Sequence, residues 1–203
     1  MSTRPDHTIV LATGNRGKQV ELEPLFANFG FKLTTQAELG IDPAPEDGLT
    51  FVENALAKAR HVAERSGRPA LADDSGLIVD ALSGAPGVRS ARYAGPEADD
   101  RANNARLLEA LAGQSNRSAR FHCVLVLLRS AEDPAPLMAS GSWEGQILEA
   151  PRGSHGFGYD PLFFDPQLGK CAAELERDAK TQVSHRGQAV RALLESLGSW
   201  RGP

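Results

Sequence analysis

Four stretches of this 203-residue chain group glycines, lysines, carboxylates and ring side chains in ways that suit an anionic ligand with a planar end. The first is Thr13-Gly14-Asn15-Arg16-Gly17-Lys18. Glycines let backbone amides approach an anion closely, a helix starting there points its positive end at the same place, and Lys18 adds a full charge. A Walker A loop would require Gly at position 12 and Ser or Thr after the lysine, where the chain has Ala12 and Gln19. The dinucleotide fingerprint also fails, for want of a third glycine in register. An ordinary strand-to-helix turn with a surface lysine fits the same residues.

The second stretch is acidic. Asp73 and Asp74 leave a short apolar run side by side, so their side chains point to opposite faces. One can face a ligand while the other caps the following turn, and Glu46 can bring a second carboxylate to the same mouth. Mg2+ usually takes one or two protein carboxylates and leaves its other positions to water and phosphate oxygens. A solvated Asp-Asp-Ser-Gly turn is the plain alternative. The third stretch is Gly156-Phe157-Gly158-Tyr159-Asp160-Pro161, either a flexible wall for a planar base or a turn whose Phe157 and Tyr159 close the core. The fourth is Lys180 with Ser184-His185-Arg186-Gly187. If Ser184 is an N-cap, His185 and Arg186 fall in a first helical turn, where the dipole disfavours positive charge. Two donors held there could read the edge of a base; plain surface is the alternative. Together the four stretches supply the parts that a nucleotide hydrolase needs.

Period and punctuation give the elements that must position these groups. His7–Thr13 reads as a buried strand ending at Gly14, Arg16–Phe29 as a helix with Val20, Leu22, Leu25, Phe26 and Phe29 apolar, and Phe31–Thr35 as a second strand. Pro24 should cost that helix a hydrogen bond or kink it. After a loop at 36–49, Thr50-Phe-Val-Glu53 matches a capping box, and the helix runs to Ser66 before Gly67 and Pro69. Its expected buried stripe is Val52, Ala55, Leu56, Ala59 and Ala63, with Glu53, Asn54, Lys58 and His61 off it. Ala70–Ala72 is a short strand running into the acidic pair, and Leu77–Leu82 extends again before Gly84-Ala-Pro-Gly87. Asp99 or Asp100 can cap a helix through Leu111. Arg120–Arg129 and Leu137–Leu148 read as strands, the second antiparallel to the first, and Ser184 caps a last helix to Leu197. The pattern is a mixed α/β fold in one domain, 1–203, without the regular alternation of a doubly wound sheet.

Composition narrows the function classes. A formal net charge of −4 argues against a broad nucleic-acid surface, although a local basic pocket remains compatible with it. Cys123 and Cys171 are too few and too far apart for a disulfide framework or a zinc site. Met1–His7 is polar, without a signal-peptide core, and the apolar runs are strand-sized, so the expected compartment is the cytoplasm with no membrane partner.

At these residues the chain resembles the inosine/xanthosine triphosphate pyrophosphatase family. The matching segments are Leu11–Lys18, Thr50–Ala55, Ala72–Leu77, Gly84–Tyr93, Gly156–Pro161 and Ser184–Gly187, in the family's order and spread over nearly the whole chain. His155, where a small residue is expected, and Pro24 are departures. The resemblance implies a mixed sheet flanked by helices, two lobes around a long substrate cleft, and a homodimer. It further implies hydrolysis of ITP, dITP, XTP and dXTP to the monophosphate and pyrophosphate. Thr13 to Lys18 would hold the triphosphate, and Asp74 would act as general base and ligate Mg2+ with Glu46. Ser75 would contact substrate; Phe157, Gly158, Tyr159, Asp160, Lys180, His185 and Arg186 would recognise the nucleoside. Lys58, on the polar face of the capped helix, would be a further phosphate ligand. Donors from His185, Arg186 or the backbone would pair with the keto oxygen at the purine six position, whereas adenine would leave them unpaired at about 1–3 kcal/mol each. A pyrophosphatase for modified pyrimidine triphosphates and a non-catalytic nucleotide-binding module are the rival readings.

Overall fold

Apolar runs with no polar alternation become inner strands, as parallel strands covered on both faces require. The computed structural model describes residues 8–197, so the expectations for Met1–His7 lie outside the described residues. The main elements are β1 (Thr8–Ala12), α1 (Arg16–Ala27), β2 (Lys32–Thr35), α2 (Phe51–Ser66), β3 (Ala70–Val79), α3 (Asp100–Ala110), β4 (Ser118–Leu128), β5 (Leu137–Ile147), β6 (Phe163–Asp165), β7 (Lys170–Cys171), α4 (Arg177–Val183) and α5 (His185–Ser196). Among the described residues they form a seven-stranded sheet in the order β2-β1-β3-β4-β5-β6-β7. β1 runs parallel to β2 and β3, while β6 is antiparallel to β5 and β7, so the sheet is mixed. The Ile147 amide at the end of β5 donates to the Arg117 carbonyl before β4, and His122 meets Ser142 at mid-strand, which makes β4 and β5 antiparallel as expected.

The chain divides into two compact units. The first holds the residues up to Asp74, then 124–139 and the C-terminal stretch from Val190. Its core sets Ala55, Ala59, Val62 and Ala63 of α2 against Val10, Ala12, Ala70 and Ala72. Alanines on both surfaces let the helix lie close to the strands. The second holds 75–123 and 140–189, with Leu77, Leu107, Phe121, Trp143, Tyr159 and Phe163 at its centre. No helix among the described residues is long and apolar enough to cross a membrane.

Several boundaries differ from the sequence reading. β3 does not stop at Ala72: it continues through Asp73 and Asp74 to Val79, and a short 3-10 turn covers Asp80–Leu82. The acidic pair therefore lies inside a strand, because both carboxylates find cationic partners there instead of water. On α2, Asn54, Lys58 and Val62 join the buried face, whereas Val52 is 40% exposed. Pro24 is accommodated within α1, and Phe29, beyond the helix end, is 59% exposed. β6, β7 and α4 add short elements that no periodicity announced.

Candidate active site

The candidate residues fall into two clusters, each within its own unit. In the first, strand β1 delivers Thr13–Asn15 as a short loop to the start of α1. Asn15 caps the helix by accepting the Lys18 amide at 3.1 Å, and Thr13 Oγ1 accepts the Asn15 amide at 3.1 Å. Gly14 is exposed, and nothing in the protein lies within 4 Å of where a Cβ would stand, so a ligand can approach the backbone there. Lys18 Nζ ion-pairs with Asp73 Oδ1 at 2.6 Å, and Asp73 is completely buried.

Asp74, on the next residue of β3, is held from α2. Lys58 Nζ lies 2.8 Å from Asp74 Oδ1, 2.9 Å from Glu46 Oε1 and 2.9 Å from the Asp73 carbonyl oxygen. Lys58 is only 8% exposed, so its expected place on a polar helix face is corrected: three oxygens draw the ammonium inward. Asn54, one helical turn earlier, donates to Asp74 Oδ2 at 3.2 Å and accepts the Gly48 amide at 2.8 Å. A Cβ at Gly48 would come within 2.6 Å of the Asn54 amide oxygen, so this close approach needs glycine. The Thr50–Glu53 capping box, with Glu53 also accepting the Leu49 amide at 2.9 Å, fixes the end of the loop that carries Glu46.

The Lys18 and Lys58 ammonium groups face the carboxylates of Asp73, Asp74 and Glu46. Burial pushes the Asp74 carboxyl above the usual carboxylate range, and the Lys58 ammonium offsets this only in part. Burial would by itself lower the pKa of Lys58, yet the Asp74 and Glu46 carboxylates outweigh it and hold the ammonium above its ordinary value. Among the described residues no group of three or more His, Cys, Asp or Glu is arranged around a metal position. Mg2+ does not require one, since one or two carboxylates suffice beside water and phosphate. Glu46 and Asp74 converge on the Lys58 ammonium together with the Asp73 carbonyl, and these are oxygens of the kind that Mg2+ takes.

The second cluster gathers the other predicted residues. Asp160 Oδ2 accepts from Lys180 Nζ at 2.6 Å and from the Phe157 amide at 2.9 Å. Both charged residues are buried, and their mutual ion pair braces the loop. Gly156 has φ +79°, and a Cβ there would collide with the Asp160 carboxylate. Tyr159 is buried in the core and its hydroxyl donates to the Ser90 carbonyl at 2.8 Å. Burial raises the pKa of that phenol. Phe157 is only half-buried, with Lys180 Nζ 5.1 Å and Arg186 Cζ 5.8 Å from its ring centre. Asp100 Oδ2 accepts the Gly158 amide at 2.7 Å and Asn104 donates to its carbonyl at 2.7 Å, so α3 grips the loop from both sides. Ser184 does cap α5, accepting the Gly187 amide at 3.2 Å. His185 stacks on Phe121 with centroids 4.9 Å apart, and Arg186, 2% exposed, donates to Ser75 Oγ at 2.9 Å. His155 is exposed and its ring lies 3.3 Å from the Leu175 carbonyl.

A scan against known families matches residues 9–196 to the Ham1 family. The chain belongs to the Ham1 family. Curated relatives named dITP/XTP pyrophosphatase include one from Halorhodospira halophila, 59% identical over 94% of this chain and 97% of the relative. Another, from Escherichia coli K12, is 56% identical over 93% and 97%. A Ham1 protein from Coxiella burnetii with a solved structure is 49% identical and superposes with a TM-score of 0.88, covering 95% of this chain and 99% of that one. The Ham1 assignment fits the segments on which the sequence resemblance rested. Asn54, Asp100 and Asn104 are the polar residues that sequence reasoning missed. Asn54 and Lys58 stand four apart on one helix face, a polar pair inside an otherwise alanine-rich stripe, and that spacing was the available signal.

Proposed function

We propose that this chain is a nucleoside triphosphate pyrophosphatase that hydrolyses non-standard purine nucleoside triphosphates to the monophosphate and pyrophosphate. The observation that carries the reaction is the buried Asp74 carboxylate sharing one cationic point with Glu46, beside a second lysine, Lys18, on the neighbouring Asp73. The choice of inosine and xanthosine bases is supported by relatives named dITP/XTP pyrophosphatase at 56–59% identity.

In this reading Asp74 takes a proton from the water that attacks the α-phosphorus, and the bond from that phosphorus to the bridging oxygen of pyrophosphate breaks. Glu46 and Asp74 would hold Mg2+, which would supply positive charge to the phosphate oxygens and would favour the ionised form of Asp74. Thr13 to Lys18 bind the triphosphate through backbone amides and the Lys18 ammonium. Phe157 offers its ring to the base, while Gly158, the backbone at Tyr159, and the buried groups of Ser75, His185 and Arg186 orient the nucleoside. Asp160 and Lys180 hold that loop in place. The family resemblance supports a homodimer, and the substrate class supports action on the cytoplasmic nucleotide pool.

The test is to incubate the protein and Mg2+ separately with ITP, dITP, XTP, GTP, ATP and dTTP, resolving mono- and diphosphates. Monophosphate plus pyrophosphate from the inosine and xanthosine substrates alone is the expected result. Diphosphate plus orthophosphate would overturn the reaction, and turnover of ATP or dTTP would overturn the base assignment.

A further inference from the structure

We propose that the Lys58 ammonium is a tethered substitute for the divalent cation: it fills the carboxylate site while metal is absent and is expelled when metal binds. The inference rests on the reading of Glu46 and Asp74 as metal ligands and goes beyond it by ordering the events at the site.

The geometry points this way from three sides. Lys58 Nζ makes contacts of 2.8–2.9 Å to Asp74 Oδ1, Glu46 Oε1 and the Asp73 carbonyl, so the oxygens that would bind a metal are already turned toward one cation. A second cation cannot use the same oxygens while the ammonium stays, because the two like charges would be neighbours in a buried setting. Asn54 keeps hold of the other oxygen of Asp74, Oδ2, so the carboxylate stays oriented while its partner is exchanged.

Expulsion gives Lys58 a second task. Its four-carbon stem is anchored on α2, so the released ammonium stays within reach of the site and becomes available to a phosphate oxygen. One lysine thus serves first as counter-ion and then as substrate ligand, and metal loading precedes the tight binding of triphosphate.

The experiment uses the whole chain with Mg2+ alone and no nucleotide. Metal-free and Mg2+-saturated protein are acetylated at fixed pH with acetic anhydride, and each lysine's rate is read by peptide mass spectrometry, with exposed Lys32 and Lys170 as internal references. Thermal melts recorded in parallel report Mg2+ binding. We expect Mg2+ to raise the melting temperature and to accelerate acetylation of Lys58 several-fold relative to the references, with both effects lost in Glu46→Gln. A melting shift that depends on Glu46, with Lys58 still protected, would overturn the displacement and leave the metal reading intact. A shift that persists in Glu46→Gln, or none in either protein, would overturn the metal reading and the displacement with it. Lys58→Met supplies an independent check: it should bind Mg2+ roughly tenfold more tightly, because the competing charge is gone, and unchanged or weaker affinity would contradict the proposal.

Discussion

Asn54 divides its amide between the Gly48 N–H and Asp74 Oδ2, tying the loop that carries Glu46 to the carboxylate on β3. Replacing it with alanine strands a buried carboxylate oxygen and a backbone donor, at a cost of about 1–3 kcal/mol. Turnover should fall with it, since both carboxylates lose their orientation. Asp74→Asn acts differently. It removes the base itself, so kcat should drop by roughly 10²–10⁴-fold, the usual worth of a positioned general base, while the chain still folds. Steady-state kinetics and thermal melts of the two variants separate the cases: Asn54→Ala should lose stability and activity together, Asp74→Asn chiefly activity. Near-wild-type turnover in Asp74→Asn would remove Asp74 from its assigned role. At this scale the charged residues were legible in the sequence but their partners were not. A lysine on a helix reads as solvated until three oxygens from elsewhere in the chain are known to meet it.

The helices sort by how they treat their own dipoles. α2 and α3 carry Glu53 and Asp100 in their first turns, as the positive end of a helix prefers. α1 and α5 have no acidic residue there and place Arg16 and Lys18, or His185 and Arg186, at the positive end. That departure was readable from sequence alone, as were β1 and β4 as apolar runs and α2 by its helical period. β6, β7 and α4 were not readable, at 3, 2 and 7 residues. The antiparallel pairing of β4 and β5 was read from sequence, but the fastening of the turn between them was not: Asp133 accepts the Arg129 backbone amide at 3.0 Å and its guanidinium at 2.9 and 2.6 Å. Those hydrogen bonds hold the Asp133 carboxyl well below the usual carboxylate range. A depressed carboxylate stabilises the fold at every pH above its unfolded value of about 3.9 and loses that contribution as pH falls through the folded value. The margin in melting temperature of wild type over Asp133→Asn should therefore be constant from pH 7 to about 5 and shrink below about 4. It should also be modest and salt-sensitive, because the Arg129 side chain is 39% exposed. A margin that widens on acidification would contradict this account.

Over the whole molecule a net charge of −4 conceals the local balance that matters, which is why composition could argue against a broad nucleic-acid surface but not locate a phosphate site. The expectation of one domain and the finding of two units meet in the strands. β3, β4 and β5 each give residues to both units, so neither unit can melt without breaking strands that continue into the other. Unfolding should then be a single cooperative transition, and the molecule carries its own probes for it. Cys123 and Cys171 are in no disulfide and are fully buried in the second unit, and burial raises the Cys171 thiol's pKa, so both should resist a thiol reagent until that unit opens. In the first unit, the amides of β1 sit between β2 and β3 and exchange only when the sheet comes apart. Thiol labelling and hydrogen exchange of the β1 peptide, followed through one denaturant series, should give the same midpoint and the same opening free energy. Thiols that react at a lower denaturant concentration than β1 exchanges would mean that the second unit opens alone, and that the shared strands are seams along which the chain divides.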